Sequence, residues 1–153
     1  MKDLSRRRDR GLAKRAAGIE VALRESTFFA QCSKRELRLV AKLAVVRNAP
    51  AGSKLVEEGD DGDIMYVLLS GTAAVHKAGR KIADLGPGAV IGELAILSKA
   101  PRNATVTTRD EAEIAMITRR SFNRLLEDAP GFARKILEAM AQRIRELDRR
   151  VVG

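Results

Sequence analysis

From Leu12 to Leu23 apolar residues and alanines recur at helical spacing between charged ones. The same period returns in SKRELRLVAKLAVV, residues 33–46, behind a cap at Ser33 with Glu36 three residues on. The spacing predicts that the first third of the chain is helical. Pro50 and Gly52 in NAPAGSK then demand a turn. Beyond them, glycines at 52, 59, 62, 71, 79, 86, 88 and 92 punctuate short apolar runs, the rhythm of a small antiparallel barrel or sandwich. IMYVLLSG and TAAVHK are expected to pair across Gly71, and KAGR to close the next hairpin into KIADL. TVTT and EIAMITR read as two more strands joined by the acidic turn RDEAE. A short helix, SFNRLLEDAPG, stops at Pro130, and a final helix runs from Gly131 to about Val151. Along it Phe132, Ile136, Met140, Ile144, Leu147 and Val151 form one apolar stripe. Its coiled-coil spacing covers too few heptads to separate a homodimer through this helix from packing on its own domain.

Length and composition narrow this to one soluble globular domain: 153 residues, 45% apolar and 32% charged, with few aromatics. The 29 Lys and Arg outweigh 20 Asp and Glu, and the resulting charge of +9 favours anionic ligands or partners. Residues 1–20 carry seven basic and three acidic side chains, and residues 131–153 carry six and three, so the excess gathers at both ends. Such runs are usually solvated faces, although SRRRDRGLAKR leaves a nucleic-acid or acidic-partner contact open. The lone Cys32 has no disulfide partner, and one His without a second thiol gives zinc too few ligands. Cys32 reads as a small half-buried residue at a helix start. His76 reads as a solvent-facing strand residue, since general-base work needs partners that are not found. The basic N-terminus lacks the apolar core of a signal peptide, and the longest apolar run is broken by Lys42; a cytoplasmic protein is expected.

The stretch that carries chemistry is GELAILSKAPRNATV, residues 92–106. A short helix beginning just after Gly92 would offer unpartnered backbone N–H groups to a phosphate. Arg102, fixed by Pro101 before it, can add a charge-assisted contact to the same anion. Glu93 would be repelled by that phosphate, and a sugar hydroxyl is the partner a carboxylate accepts well. A ribose phosphate satisfies both groups.

GAVIGELAILSKAPRNATV closely resembles the phosphate-binding cassette of the cyclic nucleotide-binding domain family, which includes the catabolite activator protein and the regulatory subunits of cyclic-AMP-dependent protein kinase. LRESTFF and EEGDDGDIMYVLLSG extend the resemblance over about residues 26–150. The resemblance implies an α+β fold: an antiparallel, jelly-roll-like β-roll flanked by N-terminal helices and two C-terminal helices. It divides the chain into a basic helical segment, 1–25, and a nucleotide-binding domain, 26–153, with its lid helix. It puts the ribose 2′-hydroxyl on Glu93 and the cyclic phosphate on Arg102 and the backbone of Gly92, Leu94 and Ala95, followed by Asn103 and Ala104. Ile91, just before the cassette glycine, belongs to the same ligand-binding set. Val75 and Ile82 match barrel positions on the ribose and base side, with core packing as the open alternative. Arg143 and Leu147 match the helix that closes over the base. Where the activator protein has a hydroxyl residue there, Leu147 is apolar, so an apolar lid is expected.

Two departures matter. No helix-turn-helix follows the long helix here, and a single cassette is present, so a stand-alone sensor is expected. Asn103 is neither the alanine often seen with cyclic AMP nor the threonine seen with cyclic GMP. Cyclic AMP (cAMP) is the expected ligand by analogy, with cyclic GMP (cGMP) open. The implied function is a non-catalytic sensor, free of cofactor or metal, that signals through its terminal helices to a protein effector. Nucleic acid and membrane are not expected partners. The alternative is a degenerate, ligand-free domain that binds nucleic acid or an acidic partner, with Glu93 and Arg102 paired to each other. No coherent set of nucleophile, base or metal carboxylates supports an enzyme.

Overall fold

The computed structural model describes residues 2–148, with side chains from Ser5 onward. Two helices lead: α1 (Lys2–Glu25) and α2 (Lys34–Lys42). The β core comprises β1 (Val45–Ala49), β2 (Lys54–Val56), β3 (Ile64–Ser70), β4 (Ala73–Lys77), β5 (Arg80–Leu85), β6 (Val90–Ile91), β7 (Thr105–Thr108) and β8 (Ala112–Thr118). The short α3 (Glu93–Leu97) interrupts it between β6 and β7, and α4 (Arg119–Asp128) and α5 (Pro130–Leu147) follow. The strands form two antiparallel sheets, β1-β8-β3-β6 and β2-β7-β4-β5. This is the α+β roll with flanking helices that the sequence predicts.

Local chemistry accounts for most boundaries. Ser33 and Glu36 form the expected capping box: Ser33 Oγ accepts the Glu36 N–H at 3.2 Å, and the Ser33 N–H donates to Glu36 Oε1 at 2.8 Å. The α2 helix stops sooner than its hydrophobic period predicts. Val45 and Val46 leave it to open β1, opposite Met116 and Ala115 of β8, because β-branched neighbours gain more from a sheet partner than from another helical turn. Pro130 ends α4 and occupies the first turn of α5, where its missing N–H costs nothing. Of the final stripe, Phe132 and Ile136 are buried and Met140 packs partly on the core, whereas Ile144 and Leu147 are 55% and 70% exposed. Val151 lies outside the described residues.

One expected pairing is corrected. β3 and β4 do not form a hairpin; they lie in different sheets. Gly71 turns the chain between them at φ +85, beneath the β7–β8 turn, where an added Cβ would sit 2.7 Å from the Glu111 carbonyl oxygen. Both edges of β3 are already taken, by β8 and β6. The β4–β5 hairpin does form, through Ala78 and Gly79 at φ 51 and 76, both positive as a type I′ turn requires. Alanine is a poor residue there. Ala78→Asn should stabilise the protein by about 0.5–1 kcal/mol, read as a shift of the urea midpoint without a change in slope.

Alternate residues of β3 and β8 serve two cores. Met65, Val67, Ala115 and Ile117 face the helices with Leu23, Phe29, Leu37, Ile96, Phe122 and Phe132. Tyr66, Leu68, Ala112 and Ile114 face between the sheets with Val56, Ala73, Ile91 and Val106. On the helical side Phe122 stands edge-on to both Phe29 and Phe132, with centroids 5.9 and 5.8 Å apart. That trio joins α4, α5 and the turn before α2.

Candidate functional site

Gly92 enters α3 in the left-handed region, φ 75, so the first helical N–H groups, those of Glu93 and Leu94, follow a glycine without a side chain. The Ala95 N–H already closes a tight turn on the Gly92 carbonyl at 3.0 Å. A Cβ at Gly92 would collide with Nη1 of Arg102, so the bare backbone there is what admits the guanidinium. A Cβ at Gly62, in the β2–β3 loop, would collide with the other side of the same group. The loop also grips the arginine's backbone: the Arg102 N–H donates to Asp60 O at 2.8 Å, and its carbonyl accepts from the Gly59 N–H at 2.8 Å. Arg102 Nη2 donates to the Ile64 carbonyl at 2.7 Å, while Nη1 is buried with no hydrogen-bond partner. Burial holds this guanidinium below its ordinary pKa, against the opposing pull of Tyr66 and Asp63. A buried charged donor without an acceptor is costly, and an anion beside Gly92 would satisfy it.

Glu93 lies in the same cleft. About 410 Å³ in volume, the cleft is lined by Val90, Gly92, Glu93, Leu94, Ala95, Ser98, Ala100, Pro101, Arg102 and Asn103. Burial pushes the Glu93 carboxyl above its ordinary pKa, and the charge of Arg143 on α5 opposes that shift. Glu93 makes no ion pair with Arg102, which spends its Nη2 hydrogen bond on the Ile64 carbonyl.

The cassette residues thus converge, with Gly92, Glu93, Leu94, Ala95, Arg102 and Asn103 around one cleft. Ala104 follows, half-buried, just before β7. Ile91 is buried between the sheets opposite Tyr66, and Val75 packs against that same core. Neither Val75 nor Ile82 lines the cleft. Ile82 lies by the bulge where β5 slips register against β4, with 57% of its surface exposed. Arg143 pairs with Glu146 on its own helix at 3.8 Å and acts on Glu93 through its charge alone, while Leu147 points to solvent at the end of α5. His76 is half-buried on β4, opposite Thr105 and Lys81. Burial, then the Glu36 carboxylate, pushes the half-buried Cys32 thiol up to about 11, which keeps it protonated at neutral pH.

One organising residue was not legible in the sequence. Arg119, the first residue of α4, donates from Nε to Ala95 O at 2.8 Å, and from Nη2 to Gly62 O at 2.7 Å and Ser98 O at 3.4 Å. Its own N–H donates to Asp63 O at 2.7 Å. One guanidinium thus ties the loop on one side of Arg102 to the helix on the other. All of its acceptors are backbone carbonyls, which no side-chain pattern reveals; Gly62, between two aspartates, was the only hint of a close approach.

A β-roll carrying a guanidinium, a carboxylate and a bare helix start in one cleft is built to hold a small organic anion. The family model for the cyclic nucleotide-binding domain matches residues 46–129, more than half of the chain. The chain belongs to the cyclic nucleotide-binding domain family. It is 35% identical over 117 residues to a cGMP-dependent protein kinase of Toxoplasma gondii, covering 75% of this chain and 12% of the kinase. Its fold matches the N-terminal domain of a transcriptional regulator from Streptomyces coelicolor A3(2) with a TM-score of 0.77 and 28% identity, covering 87% of this chain and 96% of that one. It also matches the regulatory domain of Toxoplasma gondii PKA, crystallised with cAMP, with a TM-score of 0.65 and 34% identity over 74% of this chain and 45% of that one. The chain spans about a third or less of the length of the curated relatives it matches. Among the described residues, no helix is long and apolar enough to cross a membrane.

Proposed function

We propose that this chain is a non-catalytic cyclic nucleotide sensor whose ligand is cAMP. The observation that carries this reading is the buried, unpartnered Nη1 of Arg102 at the bare backbone of Gly92, with Glu93 in the same cleft. Arg102 takes the cyclic phosphate, helped by the backbone of Gly92, Leu94 and Ala95, and Asn103 and Ala104 border it. Glu93 accepts the ribose 2′-hydroxyl. Ile91, Val75 and Ile82 supply the barrel side where the ligand extends beyond the cleft, and α5 moves to bring Arg143 and the solvent-facing Leu147 over the base. Occupancy shifts the population of α5 and of the basic helical segment 1–25, which a protein effector reads; the size of the shift is limited by the ligand's differential affinity for the two states. Calorimetry with cAMP and cGMP tests this directly. Saturable binding with cAMP the tighter ligand is expected, and no uptake of either at millimolar concentration would overturn it.

Glu93 adds a pH signature. Its raised pKa means the empty native state binds more protons than the unfolded chain just above the ordinary carboxylate range, so stability falls as pH rises through that window. Glu93→Gln should remove this fall. Ligand binding runs the other way: a hydroxyl donor needs the carboxylate, so cAMP affinity should rise with pH over the same window. In Glu93→Gln that rise should flatten, and affinity at neutral pH should drop about tenfold, the worth of one charge-assisted hydrogen bond. Titration calorimetry at several pH values checks both.

Arg119→Met should also weaken cAMP, by about five- to twenty-fold at a cost of one or two hydrogen bonds, without touching the ligand. It removes the tie between Gly62 and α3. Hydrogen exchange of the empty variant should quicken in residues 59–63 and 93–98 together; unchanged exchange in both would refute the tie.

A further inference from the structure

On a face of the molecule formed by other residues, a second recess lies between α1 and the strands beneath it. Its volume is about 510 Å³, and it is lined by Arg7, Arg8, Gly11, Lys14, Arg15 and Gly18 on the helix and by Leu69, Ser70 and Glu113 on β3 and β8. A helix that packs on its own domain turns apolar residues inward. From Ile19 onward α1 does so, burying Ile19, Ala22 and Leu23. Before that point the helix residues that line the recess are cationic or glycine. The recess is open at both glycines: a Cβ at Gly11 would touch nothing within 4 Å, and one at Gly18 would just meet Leu69 at 3.8 Å. Four cations face one acid, Glu113, which accepts from Arg15 Nε at 3.2 Å and Nη2 at 2.8 Å. The acidic Asp9 falls on the opposite side of the helix. Arg7, Arg8 and Lys14 are exposed.

We infer that this recess is a docking groove for an acidic polypeptide segment, laid between α1 and the β3–β8 surface with its carboxylates on Arg7, Arg8, Lys14 and Arg15. The span from residue 7 to residue 18 is about 17 Å of helix, which matches about five residues of extended chain. The cations would suit either polyanion, and the buried aromatics and the recessed shape favour a peptide over nucleic acid. Single strands are held by exposed aromatic rings that stack with bases, and every aromatic of this chain, Phe28, Phe29, Tyr66, Phe122 and Phe132, is buried. A duplex is read by an element that protrudes into its groove, whereas this surface is recessed. The Arg15–Glu113 pair already shows a carboxylate held in the groove, by the donors an incoming acidic side chain would use. The groove shares no residue with the cassette cleft, so substitutions in the groove leave the cleft's own residues in place and the two readings can fail separately.

The test is fluorescence anisotropy on the full chain, with a labelled peptide of about eight alternating Glu and Ser residues as probe, near 0.15 M salt, where attraction beyond about 8 Å is screened. Saturable binding is expected. The triple variant Arg7→Glu/Arg8→Glu/Lys14→Glu should weaken it by at least about tenfold, the loss of one charge-assisted contact or more. Equal charge reversal elsewhere, Arg120→Glu/Arg124→Glu/Arg134→Glu, should weaken it less than about twofold, as expected of surface charges beyond screening range. Glu113→Gln provides a gain: it releases Arg15, and binding should tighten by about three- to ten-fold. Equal losses in the two triple variants, or no tightening in Glu113→Gln, would overturn the groove. Tighter binding of an oligothymidylate of matched charge would make nucleic acid the partner and overturn the peptide. Melting curves of all variants keep folding defects apart from binding losses.

Discussion

Arg102→Ala is expected to lower cAMP affinity by at least about a hundredfold while the chain remains folded. The guanidinium offers the phosphate a charge and a free Nη1, and a hydrogen bond to a charged group is worth about 1.5–3 kcal/mol. Nη1 carries two N–H groups, and two such hydrogen bonds exceed the roughly 2.7 kcal/mol that a hundredfold change requires. The fold should tolerate the change because two effects oppose each other. The variant gives up the Nη2 bond to the Ile64 carbonyl, yet it also removes a buried donor with no acceptor and a charge whose burial already depresses its pKa. Arg102→Lys should fall between wild type and alanine, since an ammonium keeps the charge but loses the planar fork. Calorimetry reads the affinities, and thermal melts of the empty proteins read the fold. A melting point lowered by more than about 8 °C, roughly 2–4 kcal/mol at this size, would mean that Arg102 is chiefly structural.

Phe122→Ala is expected to have the largest effect on stability, a loss of about 3–5 kcal/mol against the 5–15 kcal/mol typical of a whole domain. Phe122 is fully buried at the centre of the Phe29–Phe122–Phe132 trio, so truncation leaves a cavity where three segments meet and removes two edge-on ring contacts. Urea unfolding followed by circular dichroism measures the loss. Saturating cAMP should restore part of it, about 2.7 kcal/mol at a hundred times the dissociation constant. At the same cAMP concentration the rescue should shrink to about 0.4 kcal/mol or less in the double variant with Arg102→Ala. A loss under about 1 kcal/mol would show that α4 and α5 repack freely, and the trio would then not be the joint between them.

Short-range chemistry is readable in the sequence alone. Ser33 and Glu36 announce the start of α2, Ala78 and Gly79 mark the β4–β5 hairpin, and the cassette residues lie close enough in sequence that one helix start gathers them. Choices between distant partners were not readable. The run IMYVLLS is apolar throughout because β3 feeds both cores, so its pattern carries no sign of which strand lies beside it, and the nearest one in sequence was the wrong choice. Val45 and Val46 fit the helical period of α2 and are claimed by β8. The stripe on α5 gives the right residues but no depth, so the burial of Ile136 and the exposure of Leu147 look alike in sequence. Arg119 was invisible because it acts on carbonyls, which every residue has.

The chain holds one tyrosine and no tryptophan. That tyrosine, Tyr66, pairs with Ile91 one residue before the cassette glycine and lies near enough to Arg102 for each to shift the other's pKa. Tyrosine emission from the unlabelled protein therefore comes from a single ring near Arg102. Filling the cleft should change its intensity without any engineered dye, giving an optical titration in which the whole signal originates at the site.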